Sequence, residues 1–235
     1  NNSGLVGKYF MQHLSIGTEA IFPERIDSYR GFEGGAFSLD FARTSPANAY
    51  ARGWTTDLNS GIRAPVEMAI KSSTWGTQLK QHMKQHFGHS AGIFCNAEQL
   101  PHEGNAVELD PDVRDEYGMP VPRLNLSLQD NDRLLLDAMR KRQDEILDAA
   151  GAKQVHYREF RLGASAHNYG GCRMGEDPKR SVVNSFCQSH DVPNLFIIDA
   201  SCFVTIGTAN PSLTIHAIAA RSSACIAEQA KNFDL

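Results

Sequence analysis

Hydrophobic residues recur along this chain with two different periods, and those periods sort it into helix and strand. The clearest helical period lies in "DNDRLLLDAMRKRQDEILDAAGA", where Leu134, Leu135, Ala138, Met139, Ile146 and Leu147 form one stripe. Asp130 can cap its start, Gly151 stands where a left-handed stop belongs, and the opposite charged face reads as solvated surface. A second helical spacing runs through Met68, Leu79, Met83 and Phe87 in "PVEMAIKSSTWGTQLKQHMKQHFGH" and is interrupted near Gly76. At the front, "SGLVGKYFMQH" predicts a short helix capped by Ser3, with Leu5, Tyr9 and Phe10 on one face. Such a helix is too short to stand alone.

Elsewhere the period is two. "YRGFEGGAFSLDF" alternates apolar with polar residues around a Gly-Gly pair, which predicts strand pairing with a bend. "GIFCNAEQL", "NAVELDP" and "PVPRLNLSL", separated by Pro101, Gly104, Pro111 and Gly118, predict an antiparallel sheet. "NLFIIDAS" is a continuous apolar run closed by Asp199, the pattern of a strand buried on both faces. The last helix is expected from "NPSLTIHAIAARSSACIAEQA", with Asn210 as its cap and Pro211 at its first helical position. No internal repeat is present. The expected class is α/β, α+β overall.

Composition narrows the functions. With 235 residues, 41% of them apolar and 21% charged, the chain has the makings of one or two globular domains, which sets aside disordered and collagenous classes. A formal charge of −4 without a basic cluster gives no attraction for nucleic acid or anionic lipid. No run approaches the roughly 20 apolar residues of a membrane span. Five cysteines, an odd number with no CxxC pair, read as free thiols rather than a disulfide framework or thiolate metal site. "NNSGLVG" begins without Met and reads like the middle of a protein, so an upstream portion is expected.

Most chemical motifs fail on inspection. In "HMKQHFGH", His82 and His86 have metal-ligand spacing, but a zinc protease needs Glu after the first histidine and that position is Met83. A solvated helix face accounts for the group. There is no G-x-S-x-G elbow and no Gly-Lys-Ser/Thr phosphate loop, and "DPDVRDEYG" resembles a calcium loop only in being acidic. Two features near the C-terminus are harder to dismiss. His167 lies among Gly163, Ala164, Ser165, Gly170 and Gly171, small residues that would let a planar ligand approach the backbone. Asn210 opens a helix whose first N–H groups and positive dipole end could face an anion or the N1–C2 edge of a reduced flavin. Each also has a plain explanation: a satisfied buried histidine and a simple helix cap.

Together with its neighbours, "HNYGGCRMGEDPKRSVVNSFCQSHDVPNLFIIDASCFVTIGTANPSLTIHAIAAR", His167 to Arg221, resembles the C-terminal signature of the glucose-methanol-choline (GMC) flavoprotein oxidoreductases. The match runs through His-x-x-Gly-x-Cys-Arg-Met-Gly, Asp-Pro, Ser-Val-Val, Val-x-Asn-Leu-x-x-x-Asp-Ala-Ser and Asn-Pro-x-Leu-Thr. "SGLVGKYFMQH" resembles the family's segment near the cofactor, and "NAVELDPDVRDEYGMPVPRL" its substrate-domain sheet. "FEGGAF" and "RMGEDP" are similar to the sugar and sugar-acid dehydrogenase branch.

The resemblance implies an FAD-dependent oxidation of an alcohol on a sugar or polyol, in which a base removes the hydroxyl proton while hydride leaves for flavin N5. It implies His167 as that base and Asn210 as its partner; an amide can hold the substrate oxygen but cannot take its proton. It implies FAD contacts from Asp199 and Ala200 toward the pyrophosphate and ribityl chain, and from Asn210, Pro211 and Ser212 at the pyrimidine edge. Residues 1–23 and 158–235 are expected in the FAD domain, the latter segment carrying the His/Asn pair, and residues 24–157 in the substrate domain. The family's G-x-G-x-x-G is absent from these residues, so a further polypeptide or segment bearing it is expected as partner, with an electron-acceptor protein beyond it. The rival expectation is a non-catalytic binding or assembly subunit that keeps the fold.

Overall fold

The computed structural model describes residues 1–30, 35–59, 65–158 and 160–232. Its chain divides into two compact units. One comprises Asn1–His13, Glu98–Gln129 and Arg161–Leu235, and the other Leu14–Ala97 and Asp130–Phe160. The Gly-Gly bend expected in "FEGGAF" lies largely outside the described residues.

The second unit is organised by a sheet in the order β2-β3-β4-β1-β7. These strands are β1 (Met11–Ile21), β2 (Ala36–Ser38), β3 (Trp54–Asn59), β4 (Ser90–Glu98) and β7 (Gln154–Arg158). The pairs β2–β3, β3–β4 and β1–β7 are antiparallel. The helical spacing between Met68 and Phe87 resolves into two helices, α1 (Pro65–Lys71) and α2 (Gly76–His86). Helix α3 (Asp130–Ala149) forms where its stripe predicted, with Leu135 and Met139 fully buried and Leu147 nearly so. Burying each such side chain stabilises by about 1.5–3 kcal/mol. Gly151 has φ 83°, the left-handed stop expected of it.

The stripe of α3 also buries a polar residue. Gln143, fully inaccessible, accepts from Thr18 Oγ1 at 2.6 Å and donates to Ile16 O at 3.4 Å and Cys95 Sγ at 3.2 Å. These bonds tie the helix to β1 and β4 and satisfy a buried amide that would otherwise cost about 1–3 kcal/mol.

The first unit has less regular structure. Strands β5 (Ala106–Arg114) and β6 (Pro120–Asn125) form a two-stranded sheet of their own, with a register shift between Leu109 and Arg114 that accommodates Pro111. The expected single sheet through "GIFCNAEQL", "NAVELDP" and "PVPRLNLSL" is therefore corrected: β4 belongs to the larger sheet and β5–β6 do not. The short strand β8 (Asn168–Tyr169) pairs antiparallel with Met11 and Gln12. Two small cores follow. Met11, Tyr169, Ala200 and Ile206 make one, and Val182, Val183, Cys187 and Cys202 the other.

Three further expectations are corrected. The front segment is not a helix: Gly4, Gly7 and Tyr9 all have positive φ, which breaks a right-handed helix, and the chain enters β1 at Met11. "NLFIIDAS" is not a strand. Its pairing among the described residues is one isolated bridge, Gln188–Phe196, Leu195 is 45% exposed, and the run ends in a 3-10 turn, Ala200–Cys202. An apolar run becomes a doubly covered strand only with neighbours to ladder against. Finally, the last helix, α4, runs Ser212–Lys231, so Pro211 takes the capping position and Asn210 lies before it.

Candidate active site

His13 and His167 meet because of strand register. The β1–β8 ladder pairs Met11 with Tyr169 and Gln12 with Asn168, so the next opposed pair is His13 and His167, and His13 N donates to His167 O at 3.2 Å. Directly opposed residues of an antiparallel pair project to the same face. Their rings stand edge to face, 5.0 Å apart at 86°, with Nδ1 of one 2.9 Å from Nδ1 of the other.

Each remaining nitrogen has a different surrounding. His13 Nε2 lies 2.7 Å from Gly207 O and 3.2 Å from the Tyr169 hydroxyl. His13 is fully buried and Tyr169 nearly so. His167 is half-buried, its backbone N donates to Ser165 Oγ, and its Nε2 has no hydrogen-bond partner among the described residues. Burial pushes His13 down to about 4, against a weaker opposing pull from the Gly207 carbonyl. Burial also lowers His167 below the ordinary imidazole range, and it pushes the Tyr169 phenol upward. Near neutral pH both imidazoles are uncharged, which is the form that can accept a proton.

The loop after His167 is fixed by a glycine no other residue could replace. Gly170 has φ 76°, donates its N–H to Ala200 O at 3.1 Å, and a Cβ there would come within 2.1 Å of Tyr9 O. That bond brings Ala200 beside Tyr169. Asp199 caps the 3-10 turn, its carboxylate accepting from Ser201 N at 2.7 Å, and it is otherwise exposed. Gly207 joins the histidines, whereas Asn210, three residues on, is exposed and makes no side-chain hydrogen bond among the described residues. Pro211 contributes no capping side chain, and the first bond of α4 is Ile215 N to Pro211 O, at 3.0 Å. The amides of Ser212, Leu213 and Thr214 are thus unspent among the described residues.

Sequence reasoning singled out His167 and missed His13 and Tyr169. The signal for His13 was available: Leu14, Ile16, Thr18 and Ala20 alternate with Ser15, Gly17 and Glu19, a strand period that begins beside it. All five cysteines are free, and burial pushes the Cys202 thiol up to about 12, which disfavours its thiolate. Among the described residues no group of three or more His, Cys, Asp or Glu is arranged to hold a metal ion, and no helix is long and apolar enough to cross a membrane.

A family model for GMC oxidoreductases matches residues 101–219. The 2-methyl-1,2-propanediol dehydrogenase of Mycolicibacterium austroafricanum is 34% identical over 230 residues, covering 94% of this chain and 42% of that protein. The chain belongs to the GMC oxidoreductase family. Another relative, the fructose dehydrogenase large subunit of Gluconobacter japonicus, is 28% identical over 98% of this chain and 42% of its own length. The chain therefore spans less than half the length of these curated relatives. Among solved structures, an Aspergillus oryzae formate oxidase superposes with a TM-score of 0.66 at 13% identity, over 98% of this chain and 48% of that one. Pyridoxine 4-oxidase from Mesorbium loti gives 0.54 at 16%, over 92% and 42%. At these identities the likeness is one of fold, and it is the mixed fold of helices and antiparallel sheet that the GMC resemblance implied.

Proposed function

We propose that this chain carries the proton-abstracting part of an FAD-dependent oxidoreductase that acts on an alcohol, a hydroxyl of a sugar or polyol. The observation that carries the reading is the geometry of His167: an imidazole held at Nδ1, without a partner at Nε2 among the described residues, beside a loop of small residues, with burial favouring its uncharged form. A substrate hydroxyl at Nε2 would give up its proton there as hydride departs from the same carbon, and His167 would hold the proton as imidazolium. Asn210, with its amide free, would hold the substrate oxygen without competing for the proton.

The residues fit the cofactor. The unspent amides at the start of α4, with Asn210, Pro211 and Ser212 around them, suit the electron-rich pyrimidine edge. Asp199 keeps one carboxylate oxygen unbonded for the ribityl hydroxyls, and Ala200 beside it leaves room for the chain. FAD, when bound, supplies the acceptor for the hydride. The dinucleotide-binding glycine motif would come from a segment or polypeptide outside these residues. The names of relatives, including the fructose dehydrogenase large subunit and a gluconate 2-dehydrogenase flavoprotein from Pantoea cypripedii, support a sugar-type substrate and a multi-subunit assembly.

The test is substrate-driven bleaching of the flavin in the complete protein, followed by stopped flow. His167→Ala is expected to slow it by roughly 10²- to 10⁴-fold, with Asn210→Ala costing less. Near-normal flavin reduction in His167→Ala would remove the assignment. A protein whose flavin never bleaches with any sugar or polyol would favour the assembly-subunit reading.

A further inference from the structure

The contacts around His13 allow only one arrangement of protons in the histidine pair. Gly207 O, 2.7 Å from His13 Nε2, is a carbonyl and can only accept, so Nε2 carries a hydrogen. His13 is fully buried and uncharged, so its second nitrogen, Nδ1, has a lone pair and no hydrogen. The 2.9 Å contact between the two Nδ1 atoms needs one donor, and His167 must be it. An uncharged His167 with hydrogen on Nδ1 has its lone pair on Nε2, the nitrogen without a partner among the described residues. The opposite arrangement would aim the His13 Nε2 lone pair at the Gly207 carbonyl. The Tyr169 hydroxyl at 3.2 Å could donate to that nitrogen, but it would not relieve the closer acceptor–acceptor contact.

We propose that His13 is a positioning residue that fixes His167 in its Nδ1–H tautomer and so presents Nε2 as the proton acceptor. The inference rests on the reading of His167 as the base. It also gives the charged form a place: once Nε2 has taken a proton, Nδ1–H still points at the His13 lone pair, and that bond becomes charge-assisted as the imidazolium forms. Asn210 plays no part in this arrangement. The strand register brings residues 13 and 167 opposite each other, and the Gly207 carbonyl sets which nitrogen of His13 carries the hydrogen.

The experiment has two readouts. In the complete protein with ring-15N histidine, the His167 spectrum above the titration of both rings is expected to show hydrogen on Nδ1 and none on Nε2; hydrogen on Nε2 would overturn the proposal. His13→Leu is expected to give a mixed tautomer and to slow flavin reduction by on the order of 10- to 100-fold, the size of loss seen when a metal-bound imidazole loses the group that orients it. His13→Gln, which keeps an acceptor toward Nδ1 and a donor toward Gly207 O, is expected to restore both. A His13→Leu protein with unchanged tautomer and rate would overturn the proposal while leaving His167 as base. Normal flavin reduction in His167→Ala would instead overturn the base itself, and the 15N spectrum separates the two failures.

Discussion

This chain holds two histidine pairs at similar ring separations, and the partners of their ring nitrogens differ. His13 and His167 lie 5.0 Å apart, opposed across a strand pair, and three of their four ring nitrogens are engaged. His82 and His86 lie 4.6 Å apart, one turn along α2, and border a pocket of about 420 Å³ with Glu19, Lys71 and His156. Their ring nitrogens make no hydrogen bond among the described residues. Burial lowers His86, and the neighbouring His82, His89 and His156 push the same way. Proximity of imidazoles is thus cheap on a helix, where spacing alone provides it. What would equip a pair for proton transfer is a hydrogen-bond partner at every ring nitrogen except one.

That contrast can be broken at its root. Gly170→Ala adds a Cβ against Tyr9 O at a positive φ, which is expected to cost about 3–5 kcal/mol, measured by chemical denaturation. A loss under 1 kcal/mol would mean that the β8 pairing does not depend on that close approach.

Acid sharpens the difference. Unfolded, His13 titrates near 6.5; folded, near 4. Above pH 6.5 both states are uncharged and stability is complete. Between 6.5 and 4 the unfolded chain takes a proton that the folded chain refuses, so stability falls with pH by about 3 kcal/mol and then levels off. His13→Gln should flatten this part of the profile, and an unchanged slope would contradict the burial of that ring.

The smallest effect belongs to the helix pair. His82→Ala and His86→Ala are each expected to change stability by no more than about 0.5 kcal/mol and to leave flavin reduction untouched, as half-buried positions without a side-chain hydrogen bond among the described residues do. A tenfold rate loss from either would erase the distinction between the pairs.

The sequence announced α3 almost to the residue, because a helix that packs by one stripe writes its period into the chain, and Gly151 closes it. It also singled out His167 as a candidate, since the small residues around it would let a planar ligand approach the backbone. His13 stands where two patterns meet: "SGLVGKYFMQH" before it has apolar spacing compatible with a helix, the strand period begins after it, and the positive φ values at Gly4, Gly7 and Tyr9 decide against the helix. "NLFIIDAS" misled for a different reason. Its apolarity records what a covered strand requires, and hydrogen-bonded neighbours are not a property of the run itself. No pattern in the chain could have paired residues 154 positions apart.

The opposition of His13 and His167 also sets a rule about length. Along β1 consecutive side chains face opposite ways, so one residue inserted or removed between Tyr9 and His13 would bring Gln12 or Leu14 opposite His167. Substitutions in this stretch change a contact; a change of length would exchange the imidazole for an amide or an alkyl group. The segment is therefore a measured spacer, open to variation in residue type and closed to variation in residue number.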